Sequence, residues 1–171
     1  DEQKDRALEH ISREGKRLEK LSGKMLQMLG LHQNDSIKME PHTIGELLER
    51  VTELEAEQAV QRQIQLQTEY EDFFLKMDDE LMESLLVNLI DNALRAIEAG
   101  GHITVKAYKE SGRKILEVAD NGHGIPQEEL GKITEAFYMV DKSRSRQEGG
   151  AGLGLALCVK IAEVHGARLD I

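Results

Sequence analysis

Asn88, Asn92 and Arg95 recur at i, i+4 and i+7 in a segment otherwise marked by Leu85, Leu86, Leu89, Ile90, Ala93 and Ile97. At about 3.6 residues per turn the three polar residues fall in one stripe, along the edge of the apolar face of a helix. Two amides and a guanidinium in register suit a metal-bound phosphate. An amide oxygen is a hard, neutral ligand for Mg²⁺, and arginine offsets phosphate charge. The same pattern describes an ordinary solvated helix edge, and the spacing alone leaves both readings open.

A second constellation is Asp120-Asn121-Gly122-His123-Gly124-Ile125-Pro126, directly after a segment of strand character. A carboxylate at a strand end can aim an acceptor into a cleft, and glycines let the backbone approach a flat ligand. The exocyclic amine of adenine is a natural donor to such a carboxylate. Asp-Asn-Gly and Gly-x-Gly are also plain turn chemistry.

The third is Gly149-Gly150-Ala151-Gly152-Leu153-Gly154-Leu155. It separates a polar run, Asp141 to Glu148, from a helical pattern, Ala156 to His165, that stops at Gly166. Glycines opening a helix let backbone N–H groups meet a phosphate at the positive end of the helix dipole. A P-loop is excluded because no Gly-Lys-Ser/Thr closes the run. A Rossmann turn is excluded because the preceding segment is too polar to be a strand. A flexible linker is the remaining alternative. Phe137-Tyr138 precede the polar run and fit a hinge and a base-covering ring, or two core aromatics. Lys142, Arg144 and Arg146 form a local basic run that suits phosphate, or a solvated loop.

These positions need elements to hold them. Residues 3–30 read as one helix, with Leu8, Ile11, Gly15, Leu18, Ser22, Met25 and Leu29 at 3-4 spacing, the seam of a coiled coil or bundle. Such a stripe needs a partner helix. His10 beside it reads as a surface histidine. His32 to Ser36 is a polar boundary. A short strand is expected over 37–40, ended by Pro41. Thr43 then caps a helix, with Glu46 at capping-box spacing. Strands are expected over 64–70 and 73–77. Asp78-Asp79 cap a helix running to Ala99, and strands over 103–109 and 114–119 join through a turn at Ser111-Gly112. A helical turn follows Pro126, and residues 167–171 begin a further strand.

Composition narrows the function classes. The chain has 171 residues, 40% hydrophobic and 32% charged, which supports a folded core under a polar surface. Aromatics are 4%, so aliphatic side chains fill the core. A net charge of −10 argues against a general nucleic-acid or anionic-membrane binder. The single cysteine, Cys158, sits in an apolar helical pattern and reads as a buried thiol. No apolar run is long enough to cross a membrane. The chain starts without Met inside a helical pattern, as a piece of something longer does.

Asn-x3-Asn on a helix, Asp-x-Gly-x-Gly after a strand, Phe-Tyr, then Gly-x-Gly-x-Gly opening a helix resemble, in this order, the N, G1, F and G2 boxes of sensor histidine kinases. These belong to the superfamily that includes gyrase, HSP90 and MutL. The resemblance covers residues 36–171. The stretches Leu86 to Ala93 and Gly149 to Leu155 carry it most strongly. The first helix, with Arg17-Leu18, looks like the second helix of that family's dimerisation hairpin.

The resemblance implies an α+β fold of the Bergerat type: a two-layer α/β sandwich, a mixed sheet of about five strands with three helices on one face, preceded by one long N-terminal helix. It divides the chain into residues 1–33, an incomplete hairpin, and residues 34–171, an ATP-binding catalytic domain without its final strands. Asn92 would bind Mg²⁺ with Asn88 beside it, and Arg95 would contact phosphate. Asp120 would hold the adenine amine, with Gly122, Gly124 and Ile125 shaping the pocket. Tyr138 would flank the base, residues 139–151 would be a lid, and Gly150, Gly152, Leu153 and Gly154 would offer N–H groups to phosphate. Lys142 and Arg144 would compensate charge where Met139 replaces an arginine common among relatives. Asn88, Arg95 and Lys142 form the implied catalytic set.

The implied reaction transfers the γ-phosphoryl of ATP to a histidine and then to a response regulator aspartate. The implied partners are a response regulator receiver domain, the hairpin of the parent chain, and a second copy of the parent. The fragment is expected to be cytoplasmic, with no nucleic-acid or membrane contact, under a parent anchored in the membrane through other segments. The family's acceptor lies in a His-Glu-x-x-x-Pro context on the first hairpin helix. His10-Ile11-Ser12 does not match it, so the acceptor is expected outside this chain and the fragment alone should not autophosphorylate. An anti-sigma-type serine kinase of the same fold is the alternative. A gyrase- or MutL-like ATPase uses a glutamate base where Asn88 stands, and an amide cannot take a proton from water.

Overall fold

A computed structural model describes residues 2–33, 37–140 and 152–171. The chain runs α1 (Glu2–Gln33), β1 (Glu40–Thr43), α2 (Ile44–Gln61), β2 (Gln65–Tyr70), β3 (Phe74–Met77), α3 (Asp79–Ala96), β4 (His102–Glu110), β5 (Arg113–Asp120) and α4 (Gly154–Val164). The five strands of the described residues divide into two hydrogen-bonded sheets. β2 pairs parallel with β4, which pairs antiparallel with β5; β1 and β3 form a separate antiparallel ribbon.

The core lies between the helices and the sheet. Ile44, Leu47, Leu48 and Val51 of α2 meet Leu86, Ile90 and Leu94 of α3 and Leu157 and Ile161 of α4, all fully buried. Ile103, Val105 and Ala107 alternate along β4 and close the other side. Each buried aliphatic side chain contributes roughly 1.5–3 kcal/mol, so these rows hold α3 and α4 in fixed relation. Asp78 caps α3 as expected, its side chain accepting from Leu81 N–H at 3.1 Å. His165, just past α4, accepts from Asp78 N–H through Nε2 at 3.0 Å and ties the two helices together.

Several expectations are corrected. The first strand lies at Glu40–Thr43 and contains Pro41. A two-stranded ribbon has an outer side on which proline's missing N–H costs no ladder bond. The capping box does not form: Thr43 makes no side-chain cap bond, and Gly45 N–H donates to Asp72 Oδ1 at 3.1 Å instead. α3 ends at Ala96, not Ala99, because Ala96 O accepts from His123 N–H at 3.1 Å and Arg62 Nη1 donates to Leu94 O at 3.0 Å. Those outside donors satisfy terminal carbonyls that further helix would have used. Residues 167–171 form no strand; Ala167 N–H folds back to Ala162 O at 2.9 Å. Ser111 and Gly112 do take positive φ in the β4–β5 turn.

Candidate functional site

α3 sets the floor of the site. Asn88, Asn92 and Arg95 lie on the α3 edge that faces α4 and α1, and all three line one large cleft. Asn88 is buried, and its Nδ2 donates to Ser84 O at 2.7 Å. That leaves its Oδ1 as the uncommitted end. Asn92 is the contrasting case. Its Nδ2 is buried with no hydrogen-bond partner among the described residues, a state that carries a desolvation cost of about 1–3 kcal/mol. Arg95 pairs with Asp91 at 3.5 Å, and Asp91 also accepts from Gln58 Nε2 at 3.1 Å.

Gly154, the first residue of α4, faces these amides. A Cβ there would stand 3.2 Å from Asn88 Oδ1 and 3.8 Å from Asn92 Nδ2. Among the described residues no side chain caps α4, and the first-turn N–H groups of a helix have no intrahelical partner. Leu153 is buried and anchors the turn. Gly152 has φ +67°, and a Cβ on it would be 2.7 Å from Tyr138 O.

Asp120 ends β5, is exposed, and accepts from Gly122 N–H through Oδ1 at 2.8 Å. Its second oxygen is uncommitted among the described residues. Gly122 packs against the end of α3, where a Cβ would meet Ala96 O at 2.5 Å. It closes the loop rather than lining the cleft, whereas Asp120, Gly124, Ile125 and Tyr138 do line it. The Tyr138 hydroxyl donates to Glu129, which pushes the phenol's pKa up.

The cleft encloses about 2070 Å³, more than one small ligand needs. It continues from the α3–α4 site past the open edge of β5 to residues 167–171. Cys158 lies beneath it, where burial pushes the thiol up to about 12. Such a thiol is a packing group, as its sequence context suggested. Burial also raises the Glu55 carboxyl on α2, with Asp91 adding to the shift.

Of the residues singled out in the sequence, Asn88, Asn92, Arg95, Asp120, Gly124, Ile125, Tyr138, Gly152, Leu153 and Gly154 are brought to one cleft. Lys142, Arg144, Arg146 and Gly150 lie outside the described residues. Lys24, Gln27 and Asp91 also line the cleft and were not anticipated. Asp91 could have been found, since it sits one turn before Arg95. Lys24 carries no local signal, because its place depends on how α1 lies across α3.

The residues present fit a metal–nucleotide complex. An orphaned buried amide, an amide oxygen and an uncapped glycine-opened helix face one point, and a carboxylate stands across the cleft. Among the described residues no cluster of three or more His, Cys, Asp or Glu side chains could hold a metal by itself.

Residues 77–171 match the family described as histidine kinase-, DNA gyrase B-, and HSP90-like ATPase. The sensor histidine kinase YkoH of Bacillus subtilis is 34% identical over 168 residues, 98% of this chain and 36% of its own length. Full-length ShkA, solved in complex with AMPPNP, superposes with a TM-score of 0.76 at 27% identity, over 90% of this chain and 32% of that one. The histidine kinase ThkA, solved with the response regulator TrrA, shares the fold, with a TM-score of 0.71 at 23% identity over 90% of this chain and 43% of that one. The chain thus spans about a third of the length of YkoH.

Proposed function

The chain belongs to the histidine kinase-, DNA gyrase B-, and HSP90-like ATPase family, and on that premise we propose that it is the ATP-binding catalytic part of a two-component sensor histidine kinase. The observation that carries this is the convergence of Asn88 Oδ1 and the orphaned Asn92 Nδ2 on Gly154 at the uncapped start of α4.

Bound ATP with Mg²⁺ supplies the γ-phosphoryl group and the charge that offsets its oxygens. The chain's residues bind and orient. Asn88 would hold the cation through its amide oxygen, and Asn92 would do the same once a half-turn of its amide exchanges donor for acceptor. Arg95 and the first N–H groups of α4 compensate phosphate charge. The free oxygen of Asp120 would accept from the adenine amine, Gly124 and Ile125 would shape the pocket wall, and Tyr138 would flank the base. Lys142, Arg144 and Gly150, which lie outside the described residues, would add to the phosphate contacts on the same reading. Positioning and charge compensation are what phosphoryl transfer asks of a protein.

The acceptor histidine lies outside these 171 residues, and the phosphoryl group passes from it to a response regulator aspartate, a partner of the kind that ThkA binds in TrrA. Residues 1–33 form the second helix of the dimerisation hairpin. Leu8, Ile11, Leu18 and Leu29 are left exposed on α1, the seam through which the hairpin and a second parent chain pack. No described helix is long and apolar enough to cross a membrane.

Incubation with γ-labelled ATP and Mg²⁺ tests this reading. The chain alone should bind nucleotide and acquire no label. A hairpin carrying the family's acceptor, supplied in trans, should acquire base-stable, acid-labile phosphate. Acid-stable label on a serine, or acid-labile label on this chain alone, contradicts the assignment.

A further inference from the structure

We propose that Lys24 of α1 is a phosphate ligand of the nucleotide site, its ammonium donating to the polyphosphate of bound ATP opposite the glycine turn at Gly154. The proposal rests on the nucleotide reading above and adds to it a residue from the N-terminal helix.

α1 lies on the rest of the chain with the unexpected side down. Its apolar seam is open, with Leu8 at 64% and Ile11 at 68% exposure. The side that faces the cleft is mixed, with Arg17, Leu21, Lys24 and Gln27 half-buried along it. Gln27 Oε1 accepts from Ser84 Oγ of α3 at 3.1 Å, and Leu31 is buried as an apolar anchor. The Ser84 contact fixes the helix one turn before Asn88, so Lys24 is held at the site rather than sweeping past it.

Lys24 Nζ stands 3.7 Å from the place a Gly154 Cβ would occupy, the same point that Asn88 Oδ1 and Asn92 Nδ2 approach at 3.2 and 3.8 Å. Among the described residues Lys24 makes no ion pair within 4 Å. The carboxylate that acts on it is Asp91, already engaged by Arg95 and Gln58. Arg95 and Lys20 add like charge, and burial is the largest effect holding the Lys24 ammonium below the usual lysine range. A half-buried ammonium without a dedicated counter-ion, in a protein of net charge −10, is an uncompensated cost. An anion at Gly154 offsets it. Together with Arg95 and the α4 N–H groups, Lys24 brings positive charge to the cleft at that end of α4.

Calorimetric titrations of the 171-residue chain and its Lys24→Met and Lys24→Arg variants, with Mg-ATP and with adenosine, test the proposal. Methionine keeps the stem's packing and removes the charge. Lys24→Met should weaken Mg-ATP binding roughly tenfold, the low end for a charge-assisted hydrogen bond, and leave adenosine affinity unchanged. Lys24→Arg should recover most of the loss. Unchanged or tighter Mg-ATP binding by Lys24→Met overturns the proposal, and tighter binding shows α1 to be a plug that competes with the cation. A parallel loss of ATP and adenosine affinity also overturns it, because the residue then acts only through the fold. A wild-type chain that binds neither ligand contradicts the nucleotide reading itself.

Discussion

Phe137 donates its backbone N–H to the carbonyl of Gly152 at 2.8 Å, joining the two ends of the segment between the aromatic pair and the glycine turn. Both residues have positive φ, +68° and +67°. The two hinges of the proposed lid are therefore one piece of structure, and a change at one is felt at the other.

The two glycines of that turn should separate in their effects. Gly152→Ala places a Cβ 2.7 Å from Phe137 C and Tyr138 O at a left-handed φ. That backbone alone costs about 1–2 kcal/mol, so thermal unfolding should shift down, with nucleotide affinity falling as the hinge moves. Gly154 opens a helix outside the left-handed region, so alanine brings no backbone strain there. Its Cβ would crowd Asn88 Oδ1 instead. Gly154→Ala should hold or raise the unfolding temperature and still weaken Mg-ATP binding. Equal stability losses in both variants contradict this division of roles.

Asn92 should show a trade of stability against binding. Its buried, unpartnered Nδ2 is a cost the fold carries for its ligand. Asn92→Leu removes the orphan at similar volume. Chemical denaturation should show stability unchanged or higher by about 1 kcal/mol, while Mg-dependent nucleotide binding is lost. A variant that is destabilised and still binds assigns Asn92 to the core.

Cys158 predicts an alkaline limit. The folded thiol is raised from its ordinary value of 9 to about 12. A group with a raised folded pKa contributes stability that is fully present below the unfolded value and lost as pH rises through the folded one. The window is thus pH 9 to about 12, and the full loss is about 4 kcal/mol at about 1.4 kcal/mol per unit. Cys158→Ala costs packing at neutral pH but should flatten the decline in stability over that window. Parallel declines in the two proteins contradict the assignment.

The site was legible where chemistry and local pattern coincide. Asn88, Asn92 and Arg95 share one helix, so periodicity alone put them in register, and the glycine turn and Asp120 each sit at an element boundary that composition marks. Lys24 was not legible, since the contact of Gln27 with Ser84 joins residues 57 apart in sequence. The early end of α3 was hidden for the same reason: His123, from a distant loop, takes the carbonyl of Ala96. Pro41 misled because a strand breaker is tolerated on a two-stranded ribbon, and the pairing of β1 with β3 is not written in either segment.

Asp120→Asn tests the central claim most directly. Asparagine keeps an oxygen to accept from Gly122 N–H, the contact Asp120 Oδ1 makes at 2.8 Å, and replaces the free oxygen by an amide nitrogen. That nitrogen is a donor facing a donor on adenine. Calorimetry of Mg-ATP into the variant should show binding lost, with the unfolding temperature unchanged. Wild-type affinity in Asp120→Asn would contradict the placement of the nucleotide in this cleft.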